Sequence, residues 1–166
     1  MKKKILILGC SSFSGASMVN FLLNKKRYYV YGTYRRKKQN LYLPFSKNQN
    51  KNILKTYKID LLKNPKKLVN LVLKIKPNYI IDFASICMVN QSWSIPHIYF
   101  ETNVFSKDFL IRTLSKYRFC KKYIYISTPE IFGSQSQSIH EKSKSFNPNT
   151  PYAVSKLAFE ASLSNY

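Results

Sequence analysis

The stretch Ile5-Leu6-Ile7-Leu8, followed directly by Gly9-Cys10-Ser11-Ser12-Phe13-Ser14-Gly15, indicates the fold most directly. Four consecutive apolar residues predict a short strand that is buried on both faces of a sheet. The glycine-bearing segment leads straight into Ala16-Ser17-Met18-Val19, where a helical pattern begins. Such a turn carries glycines because the backbone turns tightly and because phosphate groups bind against the free N–H groups of the helix. The stretch therefore predicts a strand, a phosphate-binding turn and a helix.

Short apolar runs and longer helical patterns alternate along the rest of the chain. The runs are rich in β-branched and aromatic residues and predict four further strands, at 29–33, 54–58, 79–83 and 123–127. Apolar residues spaced three or four apart predict helices at 15–25, 66–75, 96–116 and 151–164. This alternation predicts an α/β fold of the Rossmann type, a doubly wound parallel sheet with helices on both faces. The polar segment 35–52 is predicted to be a loop.

The composition fits one compact domain but leaves its partners open. Of the 166 residues 45% are hydrophobic, which argues against disorder. The 28 Lys and Arg against 7 Asp and Glu give a formal charge of +21, which raises nucleic acid or an acidic membrane surface as a partner. Because the basic residues are scattered along the sequence, and not gathered with stacking aromatics, a solvated basic surface explains the same count. We therefore predict no nucleic-acid partner.

The cysteines, histidines and apolar runs indicate the compartment. The three cysteines are far apart and form no C-x-x-C pair, and the two histidines lack metal-ligand spacing. We predict no metal site and a cytoplasmic location. No stretch approaches the roughly 20 apolar residues of a membrane span, so no membrane association is predicted.

The residues after the second predicted strand bear on the choice of dinucleotide. An acid at this place suits a free ribose 2′-hydroxyl, whereas an arginine suits a 2′-phosphate. Here the sequence reads Tyr34-Arg35-Arg36, and no acid occurs between Gly15 and Asp60. The pattern slightly favours NADP over NAD, and the alternative is that the two arginines are simply part of a basic surface.

Catalytic chemistry is indicated by Tyr152-Ala153-Val154-Ser155-Lys156, because Tyr and Lys four apart on a helix share one face. We expect the lysine charge to lower the pKa of Tyr152, which would make the tyrosine a general base. The fifth predicted strand runs into Thr128 and Glu130 and so places a hydroxyl and a carboxylate at the carboxyl edge of the sheet, where α/β proteins bind ligands.

These motifs, taken in order, resemble those of the extended short-chain dehydrogenases, the NAD(P)-dependent nucleoside-diphosphate-sugar epimerase and dehydratase family. The segments that carry the resemblance are 127–133 and 151–156, with similar residues at 82–85, 92–96 and 102–104. It runs from Lys3 to about Ala161 and corresponds to the N-terminal part of family members, which carry about as much chain again. The resemblance implies that residues 1–166 are an incomplete NAD(P)-binding Rossmann domain, truncated before the C-terminal substrate domain.

The resemblance also implies roles for individual residues. Thr128 would hydrogen-bond the sugar 4-hydroxyl and Tyr152 would take its proton. Lys156 would hold the nicotinamide ribose while a hydride passes to the cofactor. Ser12 replaces the middle glycine of the family's G-x-x-G-x-x-G turn, and its hydroxyl is available to a phosphate. The implied cofactor-binding residues are Gly9, Ser12, Phe13, Gly15, Arg35, Asp60, Ala84, Ser85, Tyr152 and Lys156.

The residues after Thr128 divide the subclasses within the family. Glu130 matches the carboxylate of the 4,6-dehydratases, where a base near C5 starts elimination of the 6-hydroxyl. Pro129 stands where some of those dehydratases carry an acid, and proline has no proton to donate. The resemblance thus favours a nucleotide-sugar 4,6-dehydratase-like enzyme. A 4-epimerase, a decarboxylase or a non-catalytic dinucleotide-binding module stay open, and the full-length protein is expected to form a homodimer.

Overall fold

The computed structural model describes residues 2–36, 43–45 and 53–166. Most of the segment predicted as a loop, 37–42 and 46–52, lies outside these ranges. The strands are β1 (Lys3–Leu8), β2 (Tyr28–Tyr34), β3 (Leu54–Lys58), β4 (Tyr79–Asp82) and β5 (Lys122–Tyr125). The helices are α1 (Phe13–Asn24), α2 (Pro65–Ile75), α3 (Val89–Ser94), α4 (Pro96–Phe100), α5 (Ser106–Leu114) and α6 (Pro151–Leu163).

All five strands form one parallel sheet in the order β3-β2-β1-β4-β5. The central strand β1 pairs with β2 on one side and with β4 on the other, so that Leu8 lies beside Thr33 and Asp82. The sheet therefore confirms the predicted α/β class and the parallel arrangement. It also brings the carboxyl ends of β1, β2 and β4 to one edge, where ligands bind in folds of this type.

Both faces of the sheet are covered, and each cover has its own apolar core. On one face Leu6, Leu8 and Ile80 pack with residues from α2, α5 and α6. On the other face Ile5, Ile7 and Ile81 pack with α1. Successive residues of a strand point to opposite faces, which explains why an unbroken apolar run such as 5–8 is needed at the centre of the sheet. Within the described ranges, no helix is long and apolar enough to cross a membrane.

The helix predicted over 96–116 is not one regular helix. It comprises α4, a π-helical turn at Glu101–Phe105 and α5. Apolar spacing does not reveal such a turn, because one wide turn shifts the helical pattern only slightly. Two short elements are additional to the prediction, namely α3 and a 3₁₀ turn at Pro129–Phe132 that follows β5. Single π-helical turns such as Glu101–Phe105 often occur at functional sites.

Candidate active site

The turn between β1 and α1 depends on its two glycines. Gly9 has φ +77°, and a Cβ there would lie 2.9 Å from the backbone nitrogen of Ala84. A Cβ on Gly15 would overlap the carbonyl oxygen of Gly9. The first glycine thus lets the turn pack against the segment after β4, and the second lets the helix start close to the strand.

Ser12 closes this turn through its own side chain. Its hydroxyl donates to the Gly9 carbonyl at 2.8 Å and accepts from the Gly15 amide at 3.1 Å, as the N-cap of α1. The expectation that this hydroxyl is available to a phosphate is therefore wrong for this conformation, because its proton is already engaged. The cap still orients the first N–H groups of α1, which is the feature that attracts anions.

A cleft of about 380 Å³ opens beside this turn, at the carboxyl ends of β1 to β4. It brings together most of the residues predicted to bind a cofactor, although they come from four different strand ends. Four predicted cofactor-binding residues are not among its lining residues, namely Phe13, Gly15, Tyr152 and Lys156. The Phe13 side chain is 89% exposed. The lining residues are Gly9, Ser11, Ser12, Thr33, Tyr34, Arg35, Arg36, Ile59, Asp60, Leu61, Phe83, Ala84, Ser85, Ile86 and Thr102.

One observation indicates that this cleft receives a ligand. The Thr102 hydroxyl is buried, lines the cleft and has no hydrogen-bond partner among the described residues, which points to a ligand group as its partner. Asp60 faces the same cleft and accepts a hydrogen bond from the Leu62 amide at 3.0 Å.

The predicted catalytic residues meet at the end of β5. Thr128 is the N-cap of the 3₁₀ turn that carries Glu130, and its side chain lowers the pKa of Tyr152 from α6. The charge of Glu130 raises the pKa of the same tyrosine. Tyr152 is buried, with its ring edge-on to Tyr99 at 6.3 Å between centroids. Thr150 caps α6 by accepting from the Ala153 amide at 3.1 Å and so fixes the start of this helix.

The pKa of Tyr152 corrects one expectation from the sequence. Burial raises the pKa of this tyrosine, the hydrogen bond with Thr128 lowers it, and the nearby Cys87 and Glu130 raise it further. The net direction is upward, whereas the Tyr–Lys spacing predicted a lowered pKa. The reason lies in the position of Lys156, whose ammonium donates to the Ile126 carbonyl at 2.6 Å instead of contacting the tyrosine.

Lys156 is itself an unusual lysine. Its side chain is only 3% exposed, and its Nζ lies 4.2 Å from the centre of the Tyr125 ring. Burial, followed by the charge of Lys107, lowers its pKa from 10.5 to about 7. Lys156 therefore exchanges its proton near neutral pH, and this is also the range in which a proton-transfer group is most effective.

Asn103 is a site residue whose importance the sequence did not reveal. It lies in the π-helical turn, is fully buried, and its amide oxygen accepts from the Ile86 amide at 2.9 Å while its Nδ2 donates to the Ile86 carbonyl at 3.0 Å. The same Nδ2 is 3.1 Å from the Ser155 hydroxyl on α6. Asn103 thus joins the cleft wall to the helix of Tyr152. Its sequence signals were the resemblance of segment 102–104 to the family and a polar residue within an apolar helical pattern.

Comparison with known proteins shows the family of this chain. The family model described as GDP-mannose 4,6 dehydratase matches residues 6–166. A dTDP-D-glucose 4,6-dehydratase of Dictyostelium discoideum is 32% identical over 111 residues, 60% of this chain and 25% of the relative. UDP-glucose 4-epimerase 2 of Oryza sativa subsp. japonica is 30% identical over 81 residues, 49% of this chain and 20% of the relative.

Solved structures share the fold along nearly the whole chain. The UDP-glucose 4-epimerase from Bifidobacterium longum, in complex with NAD+ and UDP, has a TM-score of 0.84 at 23% identity, covering 98% of this chain and 48% of that one. The UDP-glucuronic acid 4-epimerase from Bacillus cereus, in complex with UDP-glucuronic acid and NAD, has a TM-score of 0.81 at 24% identity, covering 96% and 50%. The matches thus span about a quarter of the curated relatives and about half of the solved chains. The chain belongs to the GDP-mannose 4,6-dehydratase family, among the nucleoside-diphosphate-sugar epimerases and dehydratases of the extended short-chain dehydrogenases, and it corresponds to their N-terminal part.

Proposed function

We propose that this chain is the dinucleotide-binding part of an NAD(P)-dependent enzyme that dehydrates a nucleotide sugar, in the manner of a 4,6-dehydratase. The observation that carries the proposal is the meeting of Thr128, Glu130 and Tyr152 beside the buried Lys156. These groups lie at the carboxyl end of the sheet, on the same edge as the glycine-lined cleft. A fold alone does not imply a function, but this arrangement has a defined chemistry.

The cleft residues are assigned to the dinucleotide. The turn at Gly9 and Gly15, with Ser12 as its cap and Phe13 at the helix start, would hold the diphosphate against the N–H groups of α1. The other predicted cofactor-binding residues that line the cleft are Arg35, Asp60, Ala84 and Ser85. When bound, the nicotinamide supplies the hydride acceptor for oxidation of a sugar carbon.

The sugar hydroxyl would be handled by Thr128 and Tyr152. We assign the 4-hydroxyl to hydrogen bonds with both side chains. Tyr152, as the phenolate, would accept the hydroxyl proton while the C4 hydrogen leaves as hydride to the oxidised dinucleotide. Because burial raises the pKa of Tyr152, the tyrosine needs a stabilising partner as it gives up its own proton, and Thr128 is the group that lowers this pKa. Lys156 would hold the nicotinamide ribose from its position on the Tyr125 ring.

Glu130 gives the proposal its dehydratase direction. A ketone at C4 acidifies the hydrogen at C5, and we assign the removal of that hydrogen to Glu130, whose charge acts on Tyr152, so that the 6-hydroxyl would leave. Pro129 has no proton to offer to this leaving group, which favours the second candidate, a nucleotide-sugar 4-epimerase that needs no elimination. A decarboxylase of the same family, or a non-catalytic dinucleotide-binding module, would use the same cleft.

Arg35 and Arg36 support NADP as the preferred cofactor. Both line the cleft directly after β2, and Asp60 is the only acid among the lining residues. A 2′-phosphate at this end would meet two guanidinium groups, which bind phosphate in a bidentate manner. The expected result is tighter binding of NADPH than of NADH. The substitution Arg35→Ala should weaken NADPH binding more than NADH binding.

The wider setting of the protein is also proposed. Three free cysteines suit a reducing cytoplasm. Large apolar side chains stay exposed on the helices next to the site, including Phe105 at 65% and Trp93 at 63%. Such residues favour a homodimer of the full-length protein through this helical surface. Sedimentation of the full-length protein would test this, and a monomer at micromolar concentration would contradict it.

The experiment that tests the function is a fluorescence titration of this chain with NADPH and NADH. We expect saturable binding that is lost in Gly15→Ala, because the added Cβ overlaps the Gly9 carbonyl. Ser14→Ala is the matched control, since Ser14 is exposed on the same helical turn, and its binding should equal that of the wild type. No binding to either dinucleotide would overturn the proposal.

Turnover separates the candidates that share this cleft. With added nucleotide sugar, a 4-keto sugar product indicates a dehydratase and a C4 epimer indicates an epimerase. Tyr152→Phe in the full-length protein should abolish either activity. Binding without any product in a full-length protein would support the non-catalytic module.

A further inference from the structure

A buried ion pair lies directly below the candidate active site and has no part in the chemistry assigned so far. Lys107 of α5 and Asp82 at the end of β4 are both fully buried, with Nζ and Oδ2 2.9 Å apart. The same Oδ2 accepts from the Tyr123 hydroxyl at 2.6 Å. Removing two charges from water is costly and is often no better for stability than an apolar pair. This cost suggests a role beyond holding the fold.

The first link from this pair leads to the cleft. The other carboxylate oxygen of Asp82 accepts from the Ala84 amide at 2.9 Å. Ala84 lines the cleft and packs against the backbone of Gly9, in the turn that holds the diphosphate in the proposed function. The ion pair thus fixes the point at which the segment after β4 leaves the sheet and becomes the cleft wall.

The second link leads to Lys156. The Nζ of Lys107 lies 4.8 Å from the centre of the Tyr125 ring, and the Nζ of Lys156 lies 4.2 Å from the same centre. Two ammonium groups therefore share one aromatic ring in a buried region, and like charges at this range repel each other. Lys107 has Asp82 as its anion, whereas the hydrogen-bond partner of the Lys156 ammonium within the described part of the chain is a backbone carbonyl.

We propose that Lys107, anchored by Asp82, is a positioning residue of this site: it holds the cleft wall through Asp82 and sets the protonation of Lys156 across the Tyr125 ring. The proposal rests on the proposed function only for its consequence, which is that dinucleotide binding responds to pH near neutrality. Protonated Lys156 attracts an anionic dinucleotide, and neutral Lys156 does not.

The charged and titratable groups around Lys156 determine in which direction its pKa should change when the ion pair is removed. The influence of Lys107 lowers the pKa of Lys156 and is larger than that of Asp82, which raises it, as do Glu160 on α6 and Cys87 after β4. The double variant Asp82→Asn/Lys107→Met removes both charges at similar volume and leaves the other groups in place. The protonation midpoint of Lys156 should therefore move up in this variant.

The test is a pH titration of this chain with ¹³C-labelled lysine, observed by NMR at the Cε of Lys156 and assigned by its loss in Lys156→Met. An upward shift of the Lys156 midpoint in the double variant supports the proposal. An unchanged midpoint in a folded double variant overturns it and makes the pair purely structural. The control Lys67→Met removes an exposed lysine of α2 and should leave the midpoint unchanged.

Dinucleotide affinity, measured from pH 6 to pH 9, then tests the consequence separately. The wild type should bind more weakly as pH rises through about 7, the pKa of Lys156, and the double variant should keep its affinity to higher pH. A shifted Lys156 midpoint with no dinucleotide binding at any pH would remove the proposed function and leave the positioning role intact. An unshifted midpoint with normal dinucleotide binding would overturn the positioning role and leave the proposed function intact.

If the double variant does not fold, Lys107→Arg provides the second test. This variant keeps the charge and should keep the wild-type midpoint of Lys156. A moved midpoint in Lys107→Arg overturns the proposal.

Discussion

The depressed pKa of Lys156 makes a quantitative prediction about stability. A lysine whose pKa falls from 10.5 when unfolded to about 7 when folded binds its proton less well in the folded state. Between these values the unfolded chain carries one more proton, so the free energy of unfolding rises with pH. The slope approaches about 1.4 kcal/mol per pH unit, and from pH 7 to pH 9 the gain is about 2.5 kcal/mol. Below pH 7 both states are protonated and the destabilisation is at its largest.

Urea denaturation of the wild type and of Lys156→Met between pH 6 and pH 9 measures this effect. Lys156→Met should be more stable than the wild type at pH 6 and should show little of the rise towards pH 9. The upper limit of pH 9 matters, because burial raises the pKa of Cys10 from 9.0 to about 12 and that thiol would act in the opposite direction above pH 9. Lys67→Met is the control and should keep the full slope. A wild-type slope in Lys156→Met would refute the assignment of this proton to Lys156.

Three further changes test the packing around the site, each by urea denaturation. Lys107→Met alone should cost about 3–5 kcal/mol because it leaves the buried Asp82 unpaired, while Asp82→Asn/Lys107→Met should cost much less; equal losses would contradict the ion pair. Asn103→Ala should cost about 1–3 kcal/mol and weaken dinucleotide binding, since both backbone groups of Ile86 lose their partner; unchanged affinity would remove its link to the cleft. Thr150→Ala should cost about 1 kcal/mol as α6 loses its N-cap, and Thr150→Ser should restore it.

The centre of the sheet was predictable from sequence because β1 and β4 contain short runs of buried apolar residues, which local sequence reveals. The runs at 5–8 and 79–83 match β1 and β4 within two residues, and the turn at Gly9 follows from the same local pattern. The position of Thr128 at the ligand-binding edge was also predictable, because carboxyl ends of parallel strands meet at one edge. These are properties that local spacing and topology determine together.

The contacts that the sequence did not reveal all depend on where a long side chain ends. The Tyr152–Lys156 spacing places both residues on one helix face, but it does not say that the ammonium continues to the Ile126 carbonyl. In the same way, Lys107 looks like a surface lysine in a helical pattern, and only the tertiary structure shows that it lies against Asp82, 25 residues earlier in the chain. The π-helical turn at Glu101–Phe105 was not predicted for a related reason. It changes the position of the Asn103 side chain but hardly changes the spacing of the apolar residues.

These hidden contacts share one physical consequence, which is that the buried charge at the site is tuned by pairs that lie outside it. Asp82 forms an ion pair with Lys107. Glu160 of α6, which accepts from the Ser127 hydroxyl at 2.6 Å, raises the pKa of Lys156. The acids are few in this chain, 7 against 28 basic residues, and of the two buried lysines Lys107 has a carboxylate in direct contact. A lysine that shares its region with a second ammonium and has no carboxylate in direct contact is the group most ready to lose its proton. Lys156 holds that position, next to the tyrosine that has to give up its own.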